Sequence, residues 1–127
     1  MKKKNTILIK GFYFCNLILL IFYLFPGSLL GYFFYKNLHI QPQITKDFLI
    51  SSNHFYIFFI LSIIGILAYR NTNKIKLLIK YLFLMSIILE FFHIIIPNRE
   101  FEWFDLLGNT IGVAVVIIVY KIKKKYE

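Results

Sequence analysis

The stretch Leu89–Gly112, "LEFFHIIIPNREFEWFDLLGNTIG", decides how the chain folds. Glu90 and His93 interrupt an apolar run that stops at Pro97. Arg99, Asp105 and Asn109 follow at close spacing within the start of a second apolar run. Both runs have the length and composition of membrane helices, joined by the short loop "PNREFE". An ionised side chain at the bilayer centre costs about 2.5–3.5 kcal/mol, so such groups must face the interior of a bundle and find partners there.

The rest of the chain supports a bilayer as solvent. Its 127 residues are 59% hydrophobic and 20% aromatic, with a mean hydropathy of +0.70. A soluble domain of this length could not bury so much apolar surface. The apolar runs predict a single all-α membrane domain over residues 1–127. Its four transmembrane helices are expected at about residues 11–35, 54–69, 77–96 and 103–120. The first is read as one continuous helix that Pro26 kinks, with Gly27 and Gly31 offering a small-xxx-small face for helix packing. Gly108 and Gly112 repeat that spacing on the last helix. A basic start before an apolar run resembles a signal peptide. The run is too long for one and no small-residue cleavage motif follows, so a retained helix is expected.

Charge placement sets the topology. Lys2, Lys3, Lys4 and Lys10 precede the first span. Arg70, Lys74, Lys76 and Lys80 lie around the second turn, and Lys121, Lys123, Lys124 and Lys125 form the tail. Only Lys36, Lys46 and Arg99 fall elsewhere. This bias predicts cytoplasmic N- and C-termini. The net charge of +9 is thus spread over anchors beside apolar runs, not gathered into a groove for phosphates, and nucleic acid is not an expected partner. Cys15 is the single cysteine, which excludes an internal disulfide. Asp47, Glu90, Glu100, Glu102 and Asp105 all fall toward the opposite, outer side, where a site is therefore expected.

On helices, His93 lies one turn above Glu90, while Asp105, Asn109 and Gly112 share a face. His54 opens the second span at the same depth, and Arg99 sits in the adjoining loop. His54, Glu90, His93, Arg99, Asp105 and Asn109 are expected to form one polar pocket, with Arg99 pairing Glu90 and Asp105 and keeping both ionised. His54, His93, Glu90 and Asp105 are all metal-ligand types. No short ligand motif such as H-E-x-x-H is present, so neither a metal nor another cofactor is expected. His39, Lys46 and Asp47 read as solvated loop residues.

The series Glu90, Pro97, Arg99, Asp105, Asn109, Gly112 resembles the signature of the VanZ-like family of small membrane proteins, E-x-x-Q, P-x-R and D-x-x-x-N-x-x-G. "ISSNHF", ending at Phe55, is similar to that family's D-K-x-x-H-F element. The resemblance covers about residues 50–115. The family glutamine falls on His93, and the family Asp-Lys pair falls on Ile50 and Ser51. The resemblance implies a multi-pass protein of the bacterial cytoplasmic (inner) membrane and a cell-envelope context. The family is named for a protein associated with resistance to teicoplanin, a glycopeptide antibiotic.

Two functions are expected from different classes. In the first, the pocket binds, or acts on, an anionic lipid or lipid-linked cell-wall intermediate. Arg99 grips phosphate or carboxylate, Asn109 donates a hydrogen bond, and a histidine serves as acid or base. In the second, the chain is a non-enzymatic membrane scaffold or homo-oligomer whose polar cluster only holds the helices together.

Overall fold

The computed structural model describes residues 5–127; Lys2, Lys3 and Lys4 lie outside the described residues. Among the described residues it is all-helical: α1 (Thr6–Leu24), α2 (Leu29–Tyr35), α3 (Ser52–Tyr69), α4 (Ile75–Phe92) and α5 (Trp103–Tyr126). Three of these, α1, α3 and α5, are long and apolar enough to cross a membrane. α4 has the same 18-residue length as α3 but carries Lys76, Lys80 and Glu90.

The first expected span is a helix, a break and a short second helix. Pro26 cannot donate a backbone N–H and pushes its predecessor out of the helical region, so Phe25 is extended, at φ −71° and ψ 137°. Gly27 then turns the chain at φ +114°, a conformation that suits glycine. α2 restarts under a Ser28 cap, whose Oγ accepts the Gly31 N–H at 3.0 Å. Gly27 and Gly31 therefore do not form a helical face. Gly27 meets Leu38 in the following loop, and Gly31 lies against the backbone carbonyls of Asn37 and Ile40. At the other end, α1 starts earlier than the apolar run, at Thr6, because Asn5 Oδ1 caps the Leu8 N–H at 3.3 Å.

α4 stops at Phe92, short of Pro97, and His93 is its C-cap. α5 instead runs on through Lys121–Lys125, since lysines are good helix formers and complement the negative end of the helix dipole. The loop between α2 and α3 is tied down by Asn53, which donates to Pro42 O at 2.6 Å and accepts from Ile44 N at 3.0 Å. Asp47 is a cap for α3 and not merely a solvated charge: its Oδ1 accepts the Ser52 N–H at 2.9 Å.

α3 is the centre of the bundle, touching α1, α4 and α5, with α5 its most extensive partner. Phe58, Leu82, Leu89 and Val113 form the innermost core. α5 is inverted relative to a soluble amphipathic helix. Leu107, Ile111, Val115, Ile118 and Ile122 are exposed along one stripe, while Gly108, Asn109 and Gly112 are buried against the bundle. The two glycines let α5 approach the backbone of α3 closely. A Cβ at Gly108 would lie 2.7 Å from Ser51 O, and one at Gly112 would lie 2.7 Å from Phe55 O. Both contacts are with backbone, which cannot swing aside. Gly112→Ala is therefore expected to lower stability by about 2 kcal/mol. Gly11→Ala, whose Cβ meets nothing, should leave stability unchanged or raise it by up to about 1 kcal/mol through helix propensity. Thermal unfolding of the two detergent-solubilised variants checks the pair.

The up-and-down course brings the C-terminal ends of α1 and α4 to the same level as the N-terminal ends of α3 and α5. Phe12 packs edge-on against Tyr69 and Tyr81 at the far end, with ring centroids 5.9 and 6.4 Å away. The near end holds the polar residues.

Candidate functional site

Four helix ends supply the site. His54 comes from the first turn of α3, Glu90 and His93 from the end of α4, Asp105 and Asn109 from the start of α5, and Tyr23 from the last turn of α1. Glu90 and Asn109 have no exposed surface, and His93, His54 and Tyr23 are 2, 4 and 4% exposed. Five of the six residues expected in the pocket converge directly, and Tyr23 joins them. Sequence reasoning missed Tyr23 because it is one tyrosine among many aromatics in an uncharged run. Its place just before the Pro26 break, at the depth where His54 opens α3, was the available signal.

Asn109 fixes the proton positions. Its Nδ2 donates to Ser86 O at 3.1 Å, so Oδ1 must point the other way, toward Tyr23 Oη at 2.6 Å and His54 Nδ1 at 2.9 Å. The tyrosine hydroxyl donates its one proton to Oδ1. The His54 Nδ1 then has an amide oxygen at 2.9 Å and a hydroxyl oxygen at 2.8 Å, both acceptors, and must carry a hydrogen itself. The neutral imidazole is left with a bare Nε2, facing Asp105 Oδ2 at 3.4 Å.

His93 is oriented from its other nitrogen. Nε2 donates to the Tyr23 backbone carbonyl at 3.0 Å, and its ring stacks on Tyr23 with centroids 5.7 Å apart. Nδ1 then faces Glu90 Oε1 at 3.3 Å. Glu90 Oε1 also accepts the Glu102 N–H at 3.2 Å, whereas Oε2 has no hydrogen-bond partner and lies 3.8 Å from His54 Nδ1.

Arg99 does not pair with the carboxylates as expected. Its Nη2 donates to Phe22 O at 2.6 Å and its Nε to Phe25 O at 3.2 Å, closing the C-terminal end of α1. The reason lies in the Pro26 break. Pro26 has no N–H for the Phe22 carbonyl, and a cation at a helix C-terminus also meets the negative end of the dipole. Partial burial pulls the guanidinium below its ordinary pKa, while Tyr23, Glu90 and Asp105 act in the opposite sense.

Glu102, at the start of α5, shows the crowding of negative charge. The Asp105 carboxylate, then partial burial, then Glu90 and Glu100 push it above the usual glutamate range. An acid with a raised folded pKa favours folding in its protonated form. That contribution is complete below the unfolded value of about 4.3 and is lost as pH rises through the folded value. Glu102→Gln should therefore unfold at a higher temperature than the parent at pH 8, by a small margin given its exposure. The difference should vanish toward pH 4.

Two cavities adjoin this cluster. One, of about 380 Å³, is walled mostly by apolar side chains of α1, α2 and α3, including Ile18, Phe22, Leu29, Ile57 and Ile60. The other, of about 500 Å³, is lined by His39, Asn98, Arg99, Glu100, Glu102 and Asp105 among others. Ser28, Gln41, His93 and Arg99 line both. His39 is exposed, as expected of a loop residue, and also borders the polar chamber. Comparison of the chain with protein-family models, with curated proteins and with solved structures yields no match, so the chemistry of these residues carries the functional reading.

Proposed function

We propose that the chain is a VanZ-like multi-pass protein of the bacterial inner membrane. It crosses four times, with both termini cytoplasmic, and binds an anionic lipid or lipid-linked cell-wall component at the outer leaflet. Glycopeptide resistance is the phenotype to which that family resemblance points. α4 is the fourth span: Lys76 and Lys80 lie within its first two turns, where long side chains reach the interface, and Glu90 is turned into the bundle. The observation that carries the ligand class is the pair of adjoining cavities. A lipid has one apolar and one polar end, and here an apolar chamber and a polar one share the wall formed by Ser28, Gln41, His93 and Arg99. Arg99 spends two of its donors on α1, and the rest of its fork is free to meet a phosphate or carboxylate.

The scaffold alternative has lost its best surface, because Gly108 and Gly112 are already covered by α3 of the same chain. Glu90 also argues against a purely structural cluster, since a staple built only for stability would not leave Oε2 unpartnered.

The test is lipid analysis of purified protein. Ile57→Trp fills the apolar chamber, and Arg99→Lys keeps the charge but loses the fork. Both variants should retain less anionic lipid than the parent while remaining monodisperse. Unchanged lipid content in well-folded Ile57→Trp would overturn the proposal.

A further inference from the structure

We propose that His54, Glu90 and Asp105 form a binding site for a divalent transition-metal ion. One ligand atom from each lies within 4.8 Å of the other two, and the three come from α3, α4 and α5. The residue order places these ligand types in one pocket but carries no short metal motif that would single the three out.

Two features point to a cation and not to a mere cluster of acids. The first is the bare His54 Nε2, held by the Nδ1–H that Asn109 and Tyr23 dictate, facing Asp105 Oδ2 at 3.4 Å. Two lone pairs at that separation need something positive between them. In tetrahedral geometry, ligands about 2.1 Å from a zinc ion stand about 3.4 Å apart, so this edge is already at the right length. The second, independent feature is Glu90 Oε2. It has no hydrogen-bond partner, its residue has no exposed surface, and it lies 3.8 Å from His54 Nδ1, the nitrogen that does not ligate. To ligate beside Nε2 the Glu90 side chain has to shift toward Asp105, within the 4.8 Å that spans the three ligand atoms.

The outer contacts are those of a metal site. The non-ligating nitrogen of His54 donates to Asn109, and Glu90 Oε1 is held by the Glu102 N–H and by His93. One nitrogen and two carboxylates suit Zn²⁺ or Mn²⁺; with no sulfur ligand a softer ion is not favoured. Three protein ligands leave a further position open. Asp105 borders the polar chamber, so that position is reachable from it. The proposal does not depend on lipid binding, since the ion is measured on protein without added lipid.

The experiment uses full-length protein without a histidine tag, purified in buffer free of chelator. Metal content is read by mass spectrometry, and chelator-stripped protein is then titrated with Zn²⁺ and with Mn²⁺ by calorimetry. One ion per chain and a raised thermal midpoint on loading are expected. Glu90→Gln and Asp105→Asn should each weaken binding by at least about tenfold while staying monodisperse, because both keep the shape of the parent side chain and replace a ligating oxygen by an amide NH2. Glu127→Gln, at an exposed carboxylate at the far end of α5, should bind like the parent. If well-folded parent protein takes up neither ion stoichiometrically, a proton shared by His54 and Asp105 fills the gap and the proposal fails. Binding that survives both conservative variants overturns it equally.

Discussion

Arg99→Ala is expected to cost about 3–5 kcal/mol of stability, because two hydrogen bonds from a charged donor are each worth about 1.5–3 kcal/mol. The bonds to Phe22 O and Phe25 O close the end of α1 where Pro26 prevents the chain from doing so itself. Without them, the last turn of α1 should fray and carry Tyr23 away from His54 and Asn109. Arg99→Lys should recover less than half of the loss, since one ammonium cannot span both carbonyls as the guanidinium fork does. Thermal unfolding of the solubilised proteins, with chymotrypsin cleavage after Phe22, Tyr23 or Leu24 at the end of α1, measures both effects. A parent-like midpoint for the alanine variant would show that the carbonyls find other donors.

Asn109→Ala should cost about 3 kcal/mol, since it removes several bonds at once and leaves a buried donor unpaired. Tyr23 Oη loses its acceptor, the Ser86 carbonyl loses a side-chain donor, and His54 Nδ1 keeps only the tyrosine oxygen. The tautomer of His54 is then no longer dictated. Tyr23→Phe is the gentler comparison. It deletes one hydroxyl, leaves the His54–Asn109 bond at 2.9 Å in place, and should cost about 1 kcal/mol. A reversed order of midpoints, with Tyr23→Phe the worse, would place the hub on α1 and not on α5.

Both predictions concern contacts that span helices far apart in the chain, and they mark the limit of what the residue order reveals. The convergence of His54, Glu90, His93, Asp105 and Asn109 was legible because periodicity puts each on a defined helix face and hydrocarbon tolerates no lone charge. The partner of Arg99 was not legible. Charge complementarity favoured Glu90 and Asp105, yet the open carbonyls at Pro26 are closer, and their need arises only once α1 has ended there. Tyr23 escaped for a related reason: among so many aromatics, only the packing of α1 onto α3 distinguishes it.

Residue order alone carried the helical content, helices apolar enough to cross a membrane, the approximate extents of the last three long helices and the end of the bundle at which polar groups gather. Each follows from local composition and period, which act within a single helix. Tertiary structure alone decided that α1 breaks from α2, that Gly108 and Gly112 face α3 while Gly27 and Gly31 meet a loop, and that Arg99 serves a helix end. It also decided which nitrogen of His54 is bare. These outcomes depend on which unsatisfied donors and acceptors meet after the helices pack, and that competition is settled by distances between elements that the order of residues does not contain.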